Sequence, residues 1–257
     1  MRIFKALLFI LLPFTVAVQL QGQTRTIHVF VALCDNQNQG IVPVPPKLGN
    51  GQNPATNLYW GAAYGVKTFF KSKTAEWQLV ATPTVDDATI HERLLFKHAT
   101  EDAYLLADAY DGAAIQGCIE AFLLAANGQN PVTITHQGKT LPFGGGAQLM
   151  AYTGHDGLME FDVNLNYGPA PSPAKEAIIL ACYSKDYFKE ELRKAQATPL
   201  LWTTHLMAPE AYTLKAAIDG WLANEAGTAI DERAAQAYHK YQKCGIRGAR
   251  NLFTTGY

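Results

Sequence analysis

Continuous apolar runs alternate along the chain with stretches whose apolar positions recur three or four residues apart. The runs lie at 26–33 (TIHVFVAL), 77–82, 103–108 (AYLLAD), 147–152, 178–182 and 199–203 (PLLWT). Unbroken apolarity over such lengths is the pattern of strands buried on both faces, as in a parallel sheet. Helical spacing marks 57–70, 112–126, 184–194, 210–223 and 231–244. Thr56 or Asn57 would cap the first of these, Asn127-Gly128 would stop the second, and Ser184 would cap the third. A shorter element falls at 92–96, and 132–141 reads as a hairpin around Gln137-Gly138. Strands alternating with helices, with no repeat and no Pro/Ser-rich linker, predict a single α/β domain over 23–257, with a mostly parallel sheet and helices on both faces.

Residues 1–22 do not fit this pattern. Arg2 and Lys5 precede an uncharged run, which is followed by the polar Gln19, Gln21 and Gln23. That order predicts a secretory signal peptide cleaved near Gly22-Gln23, and a mature chain that is secreted or periplasmic with no membrane span. The remaining bulk properties narrow the function mainly by exclusion. With 257 residues, 48% hydrophobic and 17% charged, the chain has ample material for a core. A net charge of −1 and the lack of a long basic run argue against nucleic acid and anionic membranes as partners.

Four cysteines, Cys34, Cys118, Cys182 and Cys244, permit two disulfides in an exported protein, with three connectivities. Cys34 and Cys244 are one candidate pair. Cys34 and Cys182, both expected at one edge of the sheet, are another. Cys118 lies on an apolar helical stripe and reads as core. No ligand spacing typical of zinc is present, and a metal site built from His155, Cys182, His205 and Cys34 has no local motif behind it.

In open parallel sheets, chemistry collects beyond the carboxyl ends of the strands. There the run at 147–152 delivers Gly154-His155-Asp156-Gly157, and the run at 178–182 delivers Cys182 immediately before a helix. Singly, each residue is more often ordinary structure: a buried small hydrophobe for the Cys, a loop residue for the His. Jointly they form a narrower pattern, a thiol and a base at the ends of two strands adjacent in sequence. The helix start would favour a thiolate, and the N–H groups of Gly157 and Cys182 are natural oxyanion donors. Gly144-Gly145-Gly146 lacks the residues of a phosphate loop and reads as a turn. Asp108 to Gly112 reads as a strand-to-helix turn with a capping acid.

These elements, LMAYTGHDG and IILACYS, resemble the His-Gly and Ala-Cys motifs of the caspase, legumain and gingipain superfamily of cysteine peptidases. VFVALCDN resembles the first strand of that family, and PLLWTTHLMAPEAYT its strand and loop after the nucleophile helix. The resemblance implies a caspase-like three-layer sandwich with His155 and Cys182 as the catalytic dyad and Gly157 and Cys182 as the oxyanion hole. It places Asp35 or Asn36 as the group orienting the His, and Tyr59, Trp60, Thr204 and His205 around the substrate. Asp156 stands between His155 and Gly157, where the family has His followed directly by Gly. The expectation is an exported cysteine endopeptidase acting on a protein or peptide substrate, with no cofactor required. The alternatives are a non-catalytic secreted binding protein of the same fold, whose long 35–56 loop meets a partner, and a thiol-dependent transferase.

Overall fold

The computed structural model describes residues 23–257, so the expected leader lies outside the described residues. The elements follow as β1 (Arg25–Ala32), α1 (Val66–Ser72), β2 (Trp77–Ala81), β3 (Ile90–His98), β4 (Ala103–Tyr110), α2 (Ile115–Ala126), β5 (Pro131–His136), β6 (Lys139–Gly144), β7 (Leu149–Thr153), β8 (Glu176–Leu180), α3 (Ser184–Lys194), β9 (Thr198–Thr203), α4 (Ala211–Leu222), α5 (Gly227–Gln242), α6 (Ile246–Leu252) and β10 (Phe253–Thr254). Eight strands form one sheet in the order β10-β9-β8-β7-β1-β4-β3-β2, and β5 and β6 pair separately. The five strands from β4 to β9 in that order run parallel. Antiparallel strands finish both edges, β3 and β2 on one side and β10 on the other.

Burial follows the apolar runs. Every residue of β4 and β7 is buried, as are all but the first of β1 and β8. One core, on the face covered by α1, α4 and α5, takes Val29, Val31, Leu105, Ala107, Ala151, Ile178 and Leu180. The other, under α2 and α3, takes Phe30, Tyr110, Met150, Tyr152, Ile179 and Ala181. The architecture is therefore α/β, with a mixed, mostly parallel sheet between two helical layers. No helix among the described residues is long and apolar enough to cross a membrane.

Several local expectations hold for the physical reasons behind them. Gln137 (φ 49°) and Gly138 (φ 77°) form the left-handed pair that closes a two-residue hairpin between β5 and β6. Asp111 accepts from the Ala113 N–H at 2.9 Å and caps the turn leading into α2. Other expectations need correction. Residues 57–65 are successive turns, and helix begins only at Val66. Asn57 caps no helix, because its side chain is committed to the end of β1: it accepts from Cys34 N–H at 3.0 Å and donates to the Cys34 carbonyl at 2.8 Å. Tyr183, in a left-handed conformation, precedes α3 in place of Ser184, whose hydroxyl instead donates to the Ile179 carbonyl at 2.9 Å. The short element read at 92–96 is a strand that covers Ile90–His98, and α6 and β10 lie beyond the last predicted element. All four cysteines are free.

The sheet also buries a charged cluster that the apolar runs conceal. Arg93 clasps Asp108 with two hydrogen bonds of 2.7 and 2.6 Å, and His28 Nε2 meets the same carboxylate at 3.0 Å. Gly144 N–H donates to His28 Nδ1 at 2.9 Å, so Nε2 carries the proton and donates to Asp108. Burial alone would push the Asp108 carboxyl up, but Arg93 and His28 outweigh it and hold it below its ordinary value. Removing one partner of a buried pair leaves an uncompensated charge. Arg93→Met is therefore expected to lower the stability of the fold by about 3–5 kcal/mol, read as a shift in the urea midpoint.

Candidate functional site

The site grows from the register of two strands. β7 and β8 pair in parallel with Thr153 opposite Leu180, and the Gly154 N–H continues the ladder to the Leu180 carbonyl at 3.2 Å. Two residues further along each chain stand His155 and Cys182. Both lie past the ladder, in loop and turn backbone, and Cys182 packs on the α4 and α5 side, where Met207 belongs to the core. The Cys182 sulfur accepts from Met207 N–H at 3.4 Å, and its S–H donates to the Met207 carbonyl at 3.6 Å. His155 and Cys182 thus follow the paired ends of adjacent strands by two residues each, without a hydrogen bond between them among the described residues.

His155 is 8% exposed and held at two points. The Tyr152 hydroxyl donates to its carbonyl at 2.6 Å, and its Nε2 meets Glu160 Oε1 at 2.7 Å. The same Glu160 oxygen accepts the Gly40 N–H at 2.7 Å, tying the 35–56 loop to the His. A Cβ at position 40 would collide with that carboxylate, so only glycine allows the approach. Glu160 therefore occupies the orienting place expected of Asp35 or Asn36. Asp35 spends its oxygens on Gln37, Asn38 and Gln52. Asn36 exchanges two hydrogen bonds with Val44. Nothing in residue spacing marks Glu160; the one readable hint was a glycine in a loop.

Asp156 is fully buried. One oxygen accepts the Leu158 N–H at 3.1 Å, and the other, Oδ2, has no partner among the described residues. Burial pushes its carboxyl up to about 7, against the pull of the Leu158 amide, and Glu160 adds to the rise. Burial also pushes the Cys182 thiol up. The Met207 amide offsets part of this, and the Asp156 carboxylate adds to it. Cys34, at the end of β1, is pushed up to about 11, chiefly by burial. β7 separates β1 from β8, so those strand ends stand about 10 Å apart, beyond the Cα separation a disulfide spans.

The remaining predicted residues scatter. The N–H of Cys182, just ahead of α3, donates to no backbone group among the described residues. Gly157 begins a short 3-10 turn and backs onto Phe161 and Ile119 on the α2 side. Trp60 is fully buried with its indole N–H on Glu92 at 2.6 Å, so it lines no substrate surface. Tyr59 is also buried, and its hydroxyl feels both the Cys34 and Cys182 thiols. Thr204 anchors the β9 exit to the Asn251 carbonyl at 2.8 Å. His205 is exposed, its carbonyl accepts the Tyr183 N–H at 3.1 Å, and its neighbour Leu206 is 68% exposed. No group of three or more His, Cys, Asp or Glu side chains is placed to hold a metal ion among the described residues. Comparison with protein-family models, curated proteins and solved structures finds no match.

Two outcomes follow. An acid whose folded pKa lies near 7 and whose unfolded pKa lies near 4 takes up a proton on folding between those values. Stability therefore falls as pH rises from 4 to 7 and stays reduced above. Asp156→Asn removes that loss. It is expected to stabilise the chain by on the order of 4 kcal/mol at pH 8 and negligibly at pH 4, measured by thermal melts at both values. Glu160→Ala frees the Gly40 amide, whose hydrogen exchange is expected to accelerate about tenfold or more while exchange in β1 and β4 stays unchanged.

Proposed function

We propose that this chain is a cysteine hydrolase of the caspase-like type, acting on peptide bonds with Cys182 as nucleophile and His155 as general base and acid. The observation that supports the reading is that both groups follow, by two residues each, the paired ends of adjacent parallel strands. The mechanism follows from their chemistry. The Cys182 sulfur attacks the carbonyl carbon, and its proton passes to His155. The oxygen of the tetrahedral adduct takes up the Cys182 N–H. Collapse expels the amine, which leaves with the proton from His155, and a thioester remains. Water, deprotonated by His155, then hydrolyses the thioester and restores the thiol. Glu160 fixes His155 through Nε2, leaving Nδ1 as the nitrogen for proton transfer. Tyr183, His205 and Leu206 flank the thiol as the surface a peptide meets, and the mature chain would act after export.

A second reading, a secreted binding protein that keeps the two residues as structure, has one observation in its favour. The thiol is raised by burial and by Asp156, and it bonds to Met207 instead of His155.

Iodoacetamide labelling separates the two readings. For the hydrolase, Cys182 in the mature chain alkylates about tenfold or more faster than in His155→Ala at pH 7, and a peptide library is cleaved by the parent but not by Cys182→Ala. Equal alkylation rates in parent and His155→Ala, with the library left intact, would overturn the hydrolase and leave the binding protein.

A further inference from the structure

A cavity of about 250 Å³ opens on the α2 side of the sheet, away from Cys182. Its walls are apolar: Phe30 from β1, Ile90 from β3, Ala121 and Ala125 from α2, and Val85 from the β2–β3 connection. Its floor is polar, made by Arg93, Asp108 and His28. Asp108 takes Nε and Nη2 of Arg93, which leaves Nη1 without a hydrogen bond among the described residues. Tyr110 also lines the cavity. It is 5% exposed, stacks 6.3 Å from Phe30, and its hydroxyl takes part in no hydrogen bond among the described residues. The hydroxyl oxygen itself is not sealed from solvent, so it is open to a partner that enters the cavity.

We infer that this cavity binds an uncharged single-ring or branched molecule bearing one carbonyl oxygen, which accepts from the Tyr110 hydroxyl and Arg93 Nη1. Three observations select that chemistry. Arg93 Nη1 can only donate and the Tyr110 hydroxyl is able to donate, so an acceptor oxygen is the ligand atom that suits both. Asp108 already neutralises Arg93, and Asp87 adds a carboxylate at the rim, so a ligand carboxylate gains no net attraction and is repelled at the entrance. The volume exceeds the roughly 150 Å³ of an engineered cavity that holds benzene, and it falls short of the roughly 300 Å³ at which drug-sized pockets begin. The site does not depend on the thiol: its network is fixed by strands β1, β3 and β4.

The test is fluorine NMR titration of the mature chain with three probes: 4-fluoroacetophenone, fluorobenzene and 4-fluorobenzoate. The ketone is expected to bind saturably and more tightly than the other two. Tyr110→Phe keeps the ring, and is expected to weaken the ketone about threefold to tenfold while leaving fluorobenzene unchanged. Ala121→Phe, which fills the space from α2, is expected to abolish ketone binding without altering alkylation of Cys182. Failure of the ketone to saturate at millimolar concentration, indifference of the ketone to Tyr110→Phe, or tighter binding of the benzoate would each overturn the assignment.

Discussion

Parallel, in-register pairing of β7 between β1 and β8 is the constraint on which the rest of the molecule depends. A parallel ladder needs both faces covered, because crossover connections leave no face for water. That requirement makes these strands apolar throughout and fills two cores, one under α2 and α3, the other under α4 and α5. It also fixes where the chain leaves the sheet. Once Thr153 stands opposite Leu180, both chains leave the sheet two residues before His155 and Cys182, and a one-residue slip would turn one strand's side chains toward the wrong core. The position of these two residues is therefore a consequence of core packing.

What the sheet aligns, local electrostatics holds in check. Burial disfavours the Cys182 thiolate, and the nearby Asp156 carboxylate acts in the same direction whenever it is ionised. With its own pKa pushed up to about 7, Asp156 loses its charge on the acid side of neutrality, where its opposition to the thiolate disappears. The Asp that interrupts the expected His-Gly step thus makes the thiol sensitive to the protonation of its neighbour. Glu160 adds a mechanical link, since a single oxygen serves both His155 and the Gly40 amide of the long loop. A displacement of that loop alters the partner of His155 directly.

The parts of the molecule legible in the sequence are those fixed by burial alone. β1, β4, β7, β8 and β9 were readable because a strand covered on both faces needs apolar residues whoever its neighbours are. The hairpin at Gln137-Gly138 was readable because two consecutive left-handed residues admit few side chains. Elements set by long-range hydrogen bonds were not readable. Asn57 looks like a helix cap until the end of β1 presents its backbone to it. Trp60 looks like a pocket wall until Glu92 takes its indole N–H. Glu160 has no periodic signature, and its role rests on a glycine 120 positions away. At the C-terminus, β10 is two residues long, too short for any pattern to declare it.

The two buried carboxylates of the sheet show how the fold divides structural from chemical roles. Asp108 and Asp156 are both without solvent exposure, so each must find compensation inside the protein. Asp108 finds all of it: Arg93 and His28 saturate its oxygens, and its pKa stays low despite burial. Satisfied networks of this kind rigidify a core and have little reason to react. Asp156 finds only the Leu158 amide, its second oxygen is unpaired, and its pKa rises accordingly. That cost falls next to His155 in the chain and near enough to Cys182 to raise its thiol. By the same reasoning, the Arg93–Asp108 pair serves as a neutral, fixed floor for the cavity above it, while the charge that changes with pH lies at the opposite task, beside Cys182.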